Sequence, residues 1–210
     1  MTGYDPRQDG LPDWEMLAGD SVRPPAAIEP VPATAERDLR GRRVIVGLPG
    51  LGWRGDLRAD STVVQASRTY VPVLPEQEWY RAESEQTEVF APLVPIERVW
   101  VERVSPIEPA PVPAHDLVSR LVSLDAPPTR HPVPAREATR LTGQRVVKTP
   151  GPDEKAATDQ RDLRAVTEPY TSAEGDICVR ICAELDWYRW VWSGQLPRTL
   201  QVAIHLLWTE

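Results

Sequence analysis

A glycine-rich loop is the segment of this sequence whose residue types and spacing could do chemistry. It follows the stretch Val44-Ile45-Val46, and Gly50, Gly52 and Gly55 have the Gly-x-Gly-x-x-Gly spacing of a dinucleotide-binding loop. In such a loop the glycines let the pyrophosphate approach the backbone, and the next helix directs its N-terminus at the phosphates. A dinucleotide- or ligand-binding enzyme that uses the Gly50–Gly55 loop is therefore one function to test.

The residues around this loop favour a different structure. Leu48-Pro49 adds length before the first glycine, and Trp53-Arg54 puts bulk where close packing is needed. The segment Ser61-Thr62-Val63-Val64 prefers a strand, although the motif requires a helix there. We therefore predict a glycine–proline corner between two strands, with no bound cofactor.

Other catalytic patterns are incomplete. The sequence has no Gly-x-Ser-x-Gly elbow, no His-Glu-x-x-His motif and no phosphate loop that ends in Gly-Lys-Ser/Thr. His115 with Asp116, and Glu184 with Asp186, could each act as an acid–base pair, but no catalytic sequence motif surrounds either pair. A cysteine nucleophile with a distant histidine stays open. We predict no catalytic residues and a protein that is not an enzyme.

The two cysteines predict neither a disulfide nor a metal site. Cys178 and Cys182 are four positions apart, which on a strand separates them by about 13 Å, too far for a disulfide. On a helix they would be neighbours, but two thiolates do not complete a zinc site. We predict buried, reduced thiols in a reducing compartment.

Composition limits the partners and the location. The net charge of −7 argues against a general nucleic-acid binder, which needs clustered cations. The sequence contains no apolar run of about 20 residues and no signal-peptide pattern at its start, so we predict no membrane contact and a protein that is cytoplasmic or assembled into a virion. Of the 24 basic residues, 22 are arginine, which indicates a high-GC genome, bacterial or phage.

The first 40 residues differ from the rest of the chain. They hold six prolines and twice as many acidic as basic residues, which predicts an extended Pro-rich acidic arm over residues 1–40. The arm also carries large apolar side chains that are costly to leave in water. We therefore predict that four of its residues bind a partner: Tyr4, Trp14, Met16 and Leu17.

Residues 41–210 predict one β-rich domain of the α+β class. Short strands with period-two or β-branched patterns alternate with helices predicted at Pro75–Glu83 and Glu184–Trp192, and residues 105–152 form a Pro-rich extended region with ten prolines. Ile177, Ile181, Leu185 and the tryptophans of the tail are predicted core residues. The tripeptide Asp-Leu-Arg occurs three times without a fixed period, so no repeat architecture is predicted.

These features together predict a non-enzymatic structural or interaction protein of a large assembly. Its partners would be protein subunits, either further copies of this chain or other proteins. Extended proline-rich segments suit such assemblies because proline lowers the entropy lost when a segment is ordered. A capsid- or tail-associated component of a phage virion is the subclass we expect.

Overall fold

The computed structural model describes residues 23–48, 50–105, 126–151 and 158–210. These residues form two seven-stranded sheets in which every strand pair is antiparallel, and two α-helices. The predicted β-dominated α+β class is confirmed. Within the described residues, neither helix is long and apolar enough to cross a membrane.

The first sheet has the strand order β1-β7-β2-β3-β5-β4, with β6 paired to β5. A 3-10 turn at Ala33–Ala35 follows β1, a second at Ile96–Arg98 precedes β7, and helix α1 (Glu76–Glu85) follows β5. The strands are β1 Ile28–Pro32, β2 Arg43–Leu48, β3 Gly52–Ala59, β4 Val63–Gln65, β5 Arg68–Pro75, β6 Leu93–Pro95 and β7 Val99–Val104.

The second sheet has the order β11-β12-β10-β9-β14-β8, with β13 paired to β12. Its 3-10 turns are Ala135–Glu137 and Ile204–Leu206, and helix α2 (Glu184–Ser193) follows β12. The strands are β8 Val133–Pro134, β9 Arg145–Lys148, β10 Gln160–Ala165, β11 Tyr170–Thr171, β12 Ile177–Ala183, β13 Leu200–Ala203 and β14 Leu207–Thr209.

The two sheets are two copies of one structural unit. Each half runs strand, 3-10 turn, four strands, α-helix, strand, 3-10 turn and strand, and the strands pair in the same order. The backbone bond from Gly41 to Ala59 in the first half recurs between Gly143 and Ala165 in the second. We call these halves the first repeat and the second repeat.

The prediction of no repeat architecture was therefore wrong, and the reason is the variable spacing. Arg43 and Arg145 are equivalent and 102 positions apart, whereas Glu76 and Glu184 are equivalent and 108 apart. The difference arises because the second repeat has longer connections between its strands. Once these are allowed for, Val-Pro-Ala at residues 31–33 matches residues 133–135, and Trp79-Tyr80-Arg81 matches residues 187–189.

Each repeat has its own hydrophobic core. The first core contains the inward-facing side chains of β2, β3, β5 and β7, and the second contains those of β9, β10, β12 and β14. Leu39 and Leu141 occupy equivalent core positions, and both are almost fully buried. Because neither core includes buried residues of the other repeat, the two repeats must be joined by other contacts.

Both predicted α-helices are present; α2 ends at Gly194 as predicted, whereas α1 runs to Glu85, two residues beyond its predicted end. Each begins after a residue in extended conformation and has two acidic residues in its first turn, which suits the helix dipole. Each ends at a residue in the left-handed region, Gln86 with φ 51° and Gly194 with φ 73°. The two predicted helices are confirmed.

The two repeats meet at a pseudo-twofold axis beside their first strands, where β1 contacts the residues just before β8. Ile28 and Arg130 are equivalent residues, and each donates its amide to the other's carbonyl, at 2.8 and 3.0 Å. Such a reciprocal pair is what a twofold axis between antiparallel strands produces. The repeats therefore associate as the two subunits of a symmetric dimer do, within one chain.

Some expectations need correction. The arm was predicted to extend to residue 40, but Ile28–Pro32 is a paired strand and Leu39 is core, because edge strands tolerate proline. The Pro-rich region at 105–152 likewise contains β8 and β9. Ile177 and Leu185 were predicted to be core residues and are exposed, whereas Ile181 is buried as predicted.

Candidate functional site

Charged side chains of both repeats meet at the pseudo-twofold axis. Six arginines and six carboxylates form one ion-pair network, which we call the axial cluster. The two signs balance, so the cluster as a whole is neutral. Its members are Arg43, Arg58, Arg130, Arg145, Arg161, Arg164, Asp56, Glu76, Glu102, Asp162, Glu184 and Glu210.

Two buried glutamates lie at the centre of the axial cluster. Glu76 and Glu184 are the first residues of α1 and α2, and each is 1% exposed. The N-terminus of a helix favours a carboxylate because of its unpaired amides and its dipole. Each helix therefore positions one negative charge at the axis.

Four arginines surround these glutamates in a symmetric arrangement. Arg43 Nη2 donates to Glu184 Oε2 at 2.6 Å, and its equivalent Arg145 Nη2 donates to Glu76 Oε2 at 2.7 Å. These two contacts cross from one repeat to the other. Each of these arginines also approaches the glutamate of its own repeat through Nε, at 3.3 Å in the first repeat and 3.4 Å in the second.

The second pair of central arginines follows the same symmetry. Arg58 Nη2 lies 3.0 Å from Glu184 Oε2, and Arg164 Nη2 lies 3.0 Å from Glu76 Oε2. Each also donates through Nη1 to a backbone carbonyl of its own repeat, Gly41 or Gly143. Four guanidinium groups thus hold the two carboxylates from both sides of the axis.

Two tyrosines also bind the central glutamates of the axial cluster. The Tyr80 hydroxyl donates to Glu184 Oε2 at 3.0 Å, and the Tyr188 hydroxyl donates to Glu76 Oε2 at 3.1 Å. Their rings stack on each other with centroids 5.3 Å apart. Because equivalent residues that touch must lie on the axis, this stack marks where α1 and α2 meet.

The repeated tripeptide Asp-Leu-Arg begins at a β-bulge in each of the two repeats. Asp56-Leu57-Arg58 and Asp162-Leu163-Arg164 each begin with an aspartate at positive φ, 55° and 59°, where β3 and β10 shift register. A bulge redirects the side chains that follow it. In both repeats the leucine packs against the core and the arginine enters the axial cluster. The third copy, Asp38–Arg40, has no such role.

Ionisation of the cluster follows from its charges. Burial disfavours the charged form of Glu184, but the guanidinium groups of Arg43, Arg145 and Arg164 outweigh it and lower its pKa to about 2. Burial raises the pKa of Tyr80, and the nearby Glu184 carboxylate raises it further. Glu184 therefore stays ionised and Tyr80 stays protonated across the physiological pH range.

The arrangement suits a structural joint between the repeats. Its central carboxylates and guanidinium groups already bond to one another, and the two hydrophobic cores end on either side of it. A buried ion network holds charges that are costly to separate, because each would be left unpaired out of water. The axial cluster therefore fixes how the two repeats sit together.

The glycine loop has the predicted corner structure. Residues 50 and 51 turn between β2 and β3, and Gly52 and Gly55 both lie within β3. A strand thus follows the turn at the place where a dinucleotide loop requires a helix N-terminus. The third member of the motif, Gly55, has no atom within 4 Å of an added Cβ.

Gly47 and Gly55 provide a test of this interpretation. A Cβ on Gly47 would lie 2.3 Å from the carbonyl oxygen of Gly52, so Gly47→Ala forces the hairpin backbone apart. We expect Gly47→Ala to cost about 1–3 kcal/mol of stability, and Gly55→Ala to be nearly neutral. Denaturant unfolding of both variants measures this. A dinucleotide loop would instead need a glycine at position 55, so bound cofactor lost in Gly55→Ala would contradict the account.

The other candidate residues are now placed. Cys178 and Cys182 are buried free thiols, as predicted, and burial raises the pKa of Cys182 to about 11. Glu184 and Asp186 do not form an acid–base pair, because Glu184 belongs to the axial cluster and Asp186 pairs with Arg189. His115 and Asp116 lie outside the described residues, as do Tyr4, Trp14, Met16 and Leu17. In the described segments, no group of three or more His, Cys, Asp or Glu side chains could hold a metal ion.

Sequence reasoning missed the axial cluster, although a signal was present. Both helices carry the pattern Glu-x-acid-Trp-Tyr-Arg, at residues 76–81 and 184–189. Comparison of these two helices gives the spacing of 108 and leads to Trp100-x-Glu102 and Trp208-x-Glu210. The three copies of Asp-Leu-Arg obscured this spacing, because one of them is unrelated.

Comparison with known proteins found no match. No family model, no curated protein and no solved structure matches the chain.

Proposed function

We propose that this chain is a non-enzymatic interaction protein that binds other protein subunits through the outward face of α2. One observation carries the proposal. The second repeat exposes large apolar side chains at positions where the first repeat has polar ones. Leu185, Val191 and Leu196 are 36%, 53% and 78% exposed. Leu185 and Val191 lie on α2 and Leu196 lies just beyond its end; we call these three residues the α2 face.

The first repeat serves as an internal reference for this face. The equivalents of the three residues are Gln77, Glu83 and Glu88, all exposed and polar. Since both repeats have the same fold, the fold itself does not require apolar residues there. Glu83 even forms an ion pair with Arg40 at 2.9 Å, a typical use of a solvated surface.

The two helices also differ in charge, and α2 carries fewer exposed acidic residues than α1. Beyond its buried first residue, α1 carries three acidic residues, Glu78, Glu83 and Glu85, whereas α2 carries only Asp186. The removal of charge together with the addition of exposed apolar area is typical of protein–protein interfaces. These differences support the outward side of α2 as the place that a partner subunit contacts.

The partners we propose are the protein subunits of a larger assembly, either further copies of this chain or other proteins. A capsid- or tail-associated virion component remains the expected subclass. The four arm residues predicted to bind a partner lie outside the described residues, so the proposal does not depend on them.

A triple variant tests the proposal directly. Leu185→Gln, Val191→Glu and Leu196→Glu together give the second repeat the residues of the first. Because all three side chains are exposed, we expect an unchanged melting temperature. In extracts of cells or particles that contain the chain, we expect the parent to migrate far above its own mass of 23.5 kDa, and the variant to migrate at that mass.

The matched control changes the first repeat at the equivalent positions. Gln77→Ala, Glu83→Ala and Glu88→Ala alter the same number of exposed residues and should leave the parent's migration unchanged. Sedimentation of the pure parent then separates self-association from binding to another protein. A triple variant that migrates with the parent in every fraction would refute the α2 face as the contact.

A further inference from the structure

The glycine-rich hairpin lines an open apolar groove in the first repeat. The groove measures about 310 Å³ and is formed by Val46 and Gly47 of β2, the turn residues Leu51 and Gly52, Val94 of β6 and Arg98. Leu51 is 80% exposed. We call this feature the hairpin groove.

The second repeat carries different residues at two positions of this groove. Lys148 and Thr149 take the positions of Val46 and Gly47, and both are buried. The shared fold therefore does not require the residues that line the groove at positions 46 and 47. In the described part of the chain, the exposed Arg98 at its edge forms no ion pair, so its guanidinium is available to a carboxylate.

We propose that Trp14, in the N-terminal segment of the same chain, occupies the hairpin groove. Trp14 lies between two carboxylates in the sequence Asp13-Trp14-Glu15. An indole ring would cover Leu51 and Val94, and a neighbouring carboxylate would pair with Arg98. A guanidinium beside an indole also gains a cation–π attraction.

The length of the chain allows this contact within one molecule. Ile28 lies opposite Val104 in the pairing of β1 with β7, and Arg98 precedes β7. The distance along the sheet from Val104 to Arg98 is thus about 20 Å at most. The 14 residues from Trp14 to Ile28 span up to about 46 Å when extended. A segment tethered this close to its site has a high effective concentration there.

The proposed contact is independent of the α2 face, because it lies in the other repeat. It also gives a role to the glycines of the hairpin. A Cβ on Gly47 would lie 2.3 Å from the carbonyl oxygen of Gly52, and Gly52 itself has φ 102°, a conformation that other residues rarely adopt. Gly52, one of the three glycines that suggested a dinucleotide loop, would then help to keep an apolar groove open.

Hydrogen–deuterium exchange of the full-length chain tests the proposal. We expect Trp14→Ala to increase exchange several-fold in residues 46–53 and 93–98, and to leave the second repeat unchanged. Leu51→Glu changes the groove instead of the segment, and should increase exchange in residues 11–17. Leu200→Glu is the control, an exposed leucine of the second repeat that lies outside the α2 face, and should have no effect on either region.

A crosslink identifies the occupant. A photoreactive benzoylphenylalanine at position 14 should crosslink to Leu51 or Val94 in a product of monomer mass, at a yield that does not depend on protein concentration. Crosslinks only between two chains would contradict the intramolecular contact. Equal exchange in the parent and Trp14→Ala would also overturn the proposal, and neither result would bear on the α2 face.

Discussion

Replacing Glu184 with glutamine should lower the free energy of unfolding by about 3–5 kcal/mol, a large part of a typical domain's stability. Glutamine fills the same volume, so no cavity forms. The loss arises because the guanidinium groups of four arginines would remain beside a neutral amide: Arg43, Arg58, Arg145 and Arg164. Denaturant unfolding followed by circular dichroism measures it.

The symmetry of the axial cluster provides a second variant that should behave in the same way. Glu76→Gln should cost about as much as Glu184→Gln, because the two glutamates make equivalent contacts. The control is Glu85→Gln, which breaks an exposed pair with Arg81 on α1 and should cost less than about 1 kcal/mol. If Glu184→Gln unfolds like the parent, the cluster does not join the repeats.

Lowering the pH should remove the contribution of Glu184 to the free energy of unfolding over a defined range. Its pKa falls from the ordinary 4.5 to about 2 in the folded chain, so the unfolded state binds a proton first as the pH is lowered. The stabilisation is fully present above about pH 4.5 and is lost as the pH falls toward 2. The shift corresponds to about 3 kcal/mol.

The variant Glu184→Gln isolates this effect from other carboxylates. We expect the difference in unfolding free energy between parent and variant to be constant from pH 7 to about 5 and to shrink steadily as the pH falls toward 2. Unfolding curves at each pH supply the difference. A difference that grew on acidification, or began to change near pH 7, would contradict the assigned ionisation of Glu184.

The sequence predicts local structure better than it predicts the arrangement. Helices α1 and α2 follow from their acidic first turns, and Gly194 ends α2 as expected, because these signals lie within a few adjacent residues. The strand β3 was missed because its two glycines and its charged residues give no alternating pattern, although Leu57 and Ala59 are core residues. Pairing with β2 and β5 makes it a strand.

The axial cluster was missed for a related reason. Each of its arginines is a common surface residue in the sequence, and only the pairing of two repeats buries them together. Arg43 and Glu184 are 141 positions apart and belong to different repeats. A periodic pattern within one strand or helix carries no information on such a contact, whereas a comparison of the chain with itself does.

The same comparison explains why Leu185 was assigned to the core. Its position in an apolar, tryptophan-rich helix is typical of a core residue, and single-sequence reasoning has no reference to set against it. The equivalent Gln77 supplies that reference, since it shows that this position faces outward in the fold. An apolar residue at an outward position then indicates a contact surface.

The central functional proposal is that the α2 face binds a protein partner. Moving the three residues of this face from the second repeat to the first tests the proposal most directly. The triple variant Leu185→Gln, Val191→Glu and Leu196→Glu should no longer migrate with the assembly. Adding Gln77→Leu, Glu83→Val and Glu88→Leu to that variant places the apolar set on α1 of the same chain. Because the two repeats share one fold, we expect the combined variant to regain part of the assembled fraction. Full assembly by the first triple variant alone, at an unchanged melting temperature, would contradict the claim.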